Sequence, residues 1–420
     1  MRMKYPKMYR IRQRFDDTRI EDIERAVQAE INKLSLTPVK PGQSVAITGG
    51  SRGIANIDEI LKSVVEFFKS AGAHPFVFPA MGSHGGATAE GQIEMLRQLG
   101  ISEEILNAPI RSSMDVHEIG RTEDDVPVYV DVNAFEADHI VVVNRIKSHT
   151  KFKAPIESGL MKMMAIGMGK QKGAAFYHKA AVQHTFPKII TEAARLVIQN
   201  TPVLCGLGIV ENGYGKTALI AGMKPEAIEE TEKELLQQSK KMMASLPFRA
   251  IDLLIVDEMG KDISGVGVDP NVTGRNRDIL GTFDHPVKVK RLFVRDLTAK
   301  SKGNAIGIGL ADITTERLVD KIDYGATYQN AITSLSIEKA SVPVYFSTDR
   351  EAIEVGLASA GLIGPESSKT IRIKNTGSLE TVEVSEAFAE ELHQRSDLEI
   401  IGGPQMMEFD EKDNLLNMTR

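Results

Sequence analysis

Short apolar runs that end in glycine alternate with amphipathic stretches along most of this chain, and that alternation is what most limits its fold. Residues 44–48 (SVAIT) read as a buried strand, followed by a Gly-rich turn and a helix over about 56–70 whose Ile57, Ile60, Leu61, Val64, Val65 and Phe68 share one face. Residues 75–79 (PFVFP) are the next strand. The loop 81–87 follows, then a helix from about Thr88, where Thr88 can cap and Glu90 suits the positive helix end. Residues 138–144 (DHIVVVN) form the most apolar strand candidate of the first half, before a segment rich in Met and Gly and a helix over about 186–199. Such alternation predicts an α/β fold of two α/β domains with mainly parallel sheets.

At ~150 residues per domain, 420 residues give two or three domains. The first is expected over 1–246 and the second over 247–384, with a last helix, 385–394 within the tail 385–420, packing back on the first. In the second domain 251–256 and 287–297 read as strands, and 313–318 begins a helix after the apolar 306–310. The stretch 225–245 reads as a charged, solvated linker helix.

The 51 Lys and Arg against 57 Asp and Glu leave a net charge of -6, which argues against a surface built for nucleic acid. The single cysteine, Cys205, cannot form an intramolecular disulfide, as expected of a cytoplasmic chain. The basic start, 1–15, has no apolar run behind it, and no stretch approaches the ~20 apolar residues of a membrane-spanning helix. Export and membrane insertion are therefore not expected.

Three segments carry candidate chemistry. In 80–87 (AMGSHGGA) a glycine loop at the carboxyl end of a strand places His84 either in a ligand cleft or in a plain exposed turn. In 46–54 (AITGGSRGI) Ser51 and Arg52 fall at the same sheet edge, where an arginine fork suits a carboxylate or phosphate, although a surface arginine after a tight turn has the same pattern. The third, 144–179, holds eight Lys and Arg against one acid, Glu157, so an anion is expected nearby. It includes His149 and His178, and four methionines that read as adaptable packing around Lys162. A lysine inside GLMKMMAI loses hydration, which makes its amine a better covalent or electrostatic tool than a surface lysine. The GYGKT run at 213–217 lacks the first glycine of a phosphate loop and looks like a hairpin. GMGKQKG at 167–173 does not fit the dinucleotide fingerprint.

Taken together these elements resemble the lactate racemase family that uses a nickel-pincer nucleotide. The pattern is Ser51-Arg52 after an early strand, His84 in GSHGGAT, His149 before SGLMK, Lys162, and His178 sixteen residues beyond that lysine. Residues 305–333 resemble the second domain of relatives in the same broad superfamily. The resemblance implies a 2-hydroxy-acid racemase or epimerase with its site in an interdomain cleft. It further implies a pyridinium mononucleotide joined to Lys162 through a thioamide, nickel held by the cofactor and His178, and His84 and His149 as opposed acid–base groups. Arg52 would orient the substrate, and Ser51 and Arg277 would assist cofactor binding. The implied partners are a small anionic 2-hydroxy acid and the enzymes that make the cofactor. The family's second-domain motif D-x-N-x-Y-Q-x-x-K is met here by Asp269, Asn271, Thr273, Gly274 and Arg277, with Arg275 near, and the chain has no tryptophan. These departures point away from lactate towards a larger or more acidic substrate. A cofactor-free binding protein of the same fold and a nucleotide-dependent dehydrogenase are the alternatives.

Overall fold

In the computed structural model, which describes residues 4–278, 283–362 and 364–418 apart from the side chain of His178, the glycine-ended apolar runs are strands of a parallel sheet. The chain divides into two units, Asp16–Met243, and Met1–Phe15 together with Ala244–Arg420. The expected first boundary near 246 is close to the observed one, but the expected assignment of the termini is corrected. Met8–Gln13 is a strand of the second unit, pairing antiparallel with Thr381–Ser385 and with Leu398–Gln405. The segment expected to pack back on the first domain instead supplies the short helix Ala389–His393 of the second unit, next to that last strand. Ile11, Val382, Val384 and Leu392 are buried in one core there, which is why the two termini stay together.

The unit Asp16–Met243 is built on a five-stranded sheet ordered His74–Pro79, Ser44–Gly49, His139–Arg145, Val203–Glu211, Thr217–Met223. The first four are parallel and the last closes an antiparallel hairpin, as the GYGKT segment suggested. The helix Ile57–Ser70 covers one face with the apolar stripe read from the sequence, burying Ile60, Leu61, Val64, Val65 and Phe68. The chain leaves Ser44–Gly49 for a neighbour on one side, while His139–Arg145 lies on the other, so the winding direction reverses between these two strands. Open α/β sheets place ligands at the carboxyl ends of strands at such a reversal. Pairing between the two runs from Val45↔His139 to Ile47↔Val141. Beyond it the Thr48 hydroxyl bridges them, accepting from Val143 N at 2.8 Å and donating to Val143 O at 3.1 Å.

The other unit has an eight-stranded mixed sheet whose parallel part runs Val344–Phe346, Ile313–Thr315, Lys288–Val294, Ala250–Val256, Thr370–Ile373. Residues 313–318 therefore begin as a strand, not a helix; the helix is Glu316–Val319, capped by Thr315. β-branched Ile313, Thr314 and Thr315 are all buried there and fit a sheet better than a helix. No helix among the described residues is long and apolar enough to cross a membrane.

Candidate functional site

Three strand ends converge on a cavity of about 170 Å³. Gly50, Ser51, Arg52 and Ile54 follow the first strand, Ala80, Met81 and His84 the second, and Asn144, Arg145 and Lys147 end or follow the third; Ser158, Lys162, Met163, Ile166 and Gly167 complete the wall. Of the residues singled out in the sequence, the cavity brings together Ser51, Arg52, His84 and Lys162.

The glycine loop aims His84. Gly85 lies at φ +66, and a Cβ there would fall 2.6 Å from the Gly91 backbone, so only glycine lets the loop run against the following helix. That helix begins with Thr88 accepting from Gly91 N at 3.1 Å, as the sequence suggested. His84 Nδ1 lies 2.9 Å from the Met81 carbonyl and 3.0 Å from Ser51 Oγ. A carbonyl only accepts, so this network assigns the proton to Nδ1 and the lone pair to Nε2, the atom suited to act as a base.

Beneath the loop lies a support that no local sequence pattern announces. The wholly buried Lys170 pairs with buried Asp131 at 3.0 Å and donates to Gln92 Oε1 at 3.0 Å. Gln92 Nε2 in turn donates to Gly82 O at 3.0 Å and His84 O at 3.3 Å. Burial pulls the Lys170 amine below its ordinary value, and Asp131 opposes that.

Lys162 closes a short helical turn, Leu160–Lys162, that continues into a π-helical turn, Met163–Gly167. Such turns lie often at functional sites, because the wider ring of hydrogen bonds re-aims side chains. The segment is pinned at its start: Asn144 Nδ2 donates to Gly159 O at 2.9 Å, and buried Glu232 accepts from Met161 N at 2.9 Å. A Cβ on Gly159 would come within 2.5 Å of the Glu232 carboxyl, so glycine makes room for that cap. Burial pushes the Glu232 acid up to about 7, while the backbone donors of Met161 and Leu160 oppose the rise.

Burial, then the charges of Arg52, Lys147 and Lys151, push the Lys162 amine down to about 7. Near neutrality a sizeable fraction is the free amine, which is the nucleophilic form. Arg52 is exposed along its length, yet loss of water at its head and the charge of Arg145 hold it below its ordinary value; a guanidinium stays charged regardless. Arg145 is ion-paired with Glu211, which also accepts from Ala55 N at 2.8 Å. No carboxylate is among the lining residues. The wall holds three cationic side chains, Arg52, Arg145 and Lys147, beside Lys162, so an anion placed there is stabilised and also raises the share of protonated Lys162.

His149 is not among the lining residues. It sits on a loop whose stem, Lys147 and Ser158, is closed by Lys147 N donating to Ser158 O at 2.8 Å. Buried Glu157 organises that loop, accepting from His149 N at 2.7 Å and pairing with Lys240 at 2.6 Å. The His149 ring stacks on Phe152 at 4.3 Å, and its Nδ1 accepts from Lys151 N at 3.1 Å, the reverse of the His84 arrangement. His178 belongs to the helix Lys170–His184, but its side chain lies outside the described residues. Among the described residues no group of three or more His, Cys, Asp or Glu could hold a metal.

In the other unit, Arg277 is exposed and donates to Gly309 O at 2.9 Å. Arg275 pairs with Asp312 at 2.5 Å and donates to Val289 O at 3.1 Å, a structural use. Asp269 caps Pro270–Thr273 by accepting from Asn271 N at 2.9 Å.

Residues 8–188 match the family model of the lactate racemase N-terminal domain. No curated protein matches the chain. Among solved structures it is similar to the lactate racemase apoprotein from Thermoanaerobacterium thermosaccharolyticum, at 13% identity and a TM-score of 0.51, over 90% of this chain and 94% of that one. A protein from Thermotoga maritima aligns at 13% identity with a TM-score of 0.49, over 86% of this chain and 97% of that one. At such identity the first likeness speaks for the fold, and the second carries no argument.

Proposed function

Given that the chain is a homologue of the lactate racemase family through residues 8–188, we propose that it is a racemase or epimerase of a 2-hydroxy acid that works with a nickel-pincer nucleotide tethered to Lys162. The observation that carries this reading is the cavity itself: three cationic side chains, Arg52, Arg145 and Lys147, and no carboxylate line the wall beside a lysine whose amine is pushed down to about 7. An amine of that kind fits covalent attachment, and the cations fit a nucleotide phosphate and a substrate carboxylate. The family resemblance assigns nickel to the cofactor's own atoms and one imidazole, that of His178, so the reading needs no cluster of protein ligands.

When bound, the group supplies an electrophilic ring able to take the carbinol hydrogen with its electron pair. The protein's share is to hold the acid and move protons. Arg52 binds the substrate carboxylate. His84, fixed by the Met81 carbonyl with its lone pair on Nε2, takes the hydroxyl proton from one enantiomer. For the other enantiomer, which presents its hydroxyl from the opposite side, the resemblance gives the same task to His149, on the loop that leaves the cavity wall at Lys147 and returns at Ser158. The 2-oxo acid is planar and would present either face, and the histidine that took the hydroxyl proton would return one to the carbonyl oxygen. The sequence departures from the family's motif, a Thr-Gly pair for Tyr-Gln and no tryptophan, favour a sugar acid or hydroxy diacid over lactate as the substrate.

Protein co-produced with the cofactor-synthesis enzymes is expected to interconvert the enantiomers of malate or gluconate-type acids faster than those of lactate, and Lys162→Ala is expected to abolish this. Preferred turnover of lactate would remove the substrate assignment. Net formation of a 2-oxo acid with free nicotinamide cofactor would replace the whole reading with a dehydrogenase.

A further inference from the structure

Helix Tyr324–Thr333 is amphipathic in the reverse sense from an ordinary surface helix. Its small residues Thr327 and Ala331 are buried, each 1% exposed, while Tyr324, Tyr328 and Ile332, four residues apart on one stripe, are 41–59% exposed. A helix on a monomer's surface turns its large apolar residues to the core, so a stripe turned outward marks a face meant to be covered. The stripe forms one wall of a groove of about 620 Å³, and the turn Ile337–Ala340 forms the other, with Ile337 67% exposed. The groove wall continues through Val342 into Val344–Phe346, the outermost strand of the eight-stranded sheet, where Val344 and Tyr345 are also exposed.

We propose that this face is where two copies of the chain associate. Charge selects the partner. The 25 residues 324–348 hold only two charged side chains, Glu338 and Lys339, in a chain that is 26% charged, and Lys339 is wholly buried against Asp278 at 2.9 Å. A charged partner finds no complement there. A second copy, which carries the same net charge of -6, meets least repulsion at a neutral face. The area agrees as well. Six large side chains of ~150–200 Å² each, about half exposed, offer roughly 500 Å² of apolar surface. A standard interface buries ~800 Å² per partner, and homodimer interfaces are ~65% apolar. Tyrosine pairs such as Tyr324 and Tyr328, whose rings meet at 5.6 Å, are the residue type that interfaces enrich. A two-fold arrangement sets the same stripe against itself, which needs no second surface.

Sedimentation equilibrium of the full chain over about 1–100 µM tests this. The expected mass is that of two 46.0 kDa chains, falling to one for Tyr328→Asp and Ile332→Asp, each weakening association by at least ~30-fold. Ile105→Asp, an equally exposed apolar residue in the other unit, is expected to leave the dimer intact. Should either helix variant lose its native circular dichroism, Ile337→Ser on the adjoining turn carries the same expectation. A single-chain mass for the unaltered protein throughout that range, or a dimer indifferent to all three changes, would overturn the proposal.

Discussion

Two crevices at the carboxyl ends of parallel strands, one in each unit, differ in how their charges are arranged. In the unit Asp16–Met243, the wall around Lys162 holds cations and no carboxylate. In the other unit a larger crevice lies beyond Val256, Val294 and Ile373, and there cations meet acids in a closed network. Arg295 bonds Asp349 at 2.6 Å and Asp257 at 2.7 Å, Arg372 bonds Asp257 at 2.9 Å, and Arg317 bonds Asp349 at 3.0 Å. Asp349 also accepts from Leu415 N at 2.9 Å, which ties the C-terminal tail over the crevice. The same strand-end geometry thus serves two ends. Matched charges lock a tail in place, and a wall lined by cationic side chains without a carboxylate among the lining residues favours an incoming anion.

The contrast predicts opposite responses to substitution. Asp349→Asn removes one of the two acids that hold buried Arg295, and the partner of Arg317, and is expected to destabilise the protein by about 3 kcal/mol, read as a lowered urea midpoint. His84→Ala is expected to lower turnover of the loaded enzyme by ~10²–10⁴-fold with the urea midpoint unchanged and the cofactor retained. A stability loss at His84 as large as that at Asp349 would erase the distinction between the two crevices.

Arg52→Gln sharpens the comparison at the next level. Removing a cation beside Lys162 lets its amine hold a proton more readily, so the pH at which it becomes reactive to an acylating reagent rises above about 7. Because this amine loses its proton more readily in the folded state than in the unfolded one, its burial penalises the fold fully below about pH 7. That penalty fades as pH rises from there towards the ordinary lysine value. The smallest effect is expected at Glu232, whose acid has the opposite sign. Raised to about 7, it is neutral in the fold at mildly acid pH, and its stability contribution is lost as pH climbs from the ordinary carboxyl value through about 7. Glu232→Gln should flatten that part of the stability profile, by roughly 2 kcal/mol between pH 5 and 8.

Much of this was legible from sequence because it is local. Strand runs such as 44–48 and 75–79, the stripe of Ile57–Ser70 and the Thr88 cap are each written within a few adjacent residues. The convergence of Ser51, Arg52 and His84 followed from placing two glycine loops at the same sheet edge, and the hydration loss at Lys162 from its apolar neighbours. What was illegible depends on distant partners. The helix Lys170–His184 (KQKGAAFYHKAAVQH) has no apolar stripe, so periodicity did not reveal it. Gln92 and Lys170 meet across 78 positions, and Glu232 caps a turn 71 residues earlier; neither leaves a mark in the sequence around it. The strand Met8–Gln13 finds its partners only at the far end of the chain, so nothing in the residues around it separates it from the first domain.

The central claim is that Lys162 is the tethering amine, and peptide mass mapping of protein co-produced with the cofactor-synthesis enzymes tests it most directly. The account predicts a covalent mass increase confined to the peptide that holds Lys162 and absent from Lys162→Ala. An unmodified Lys162 peptide, with the added mass on another residue or on none, would contradict it.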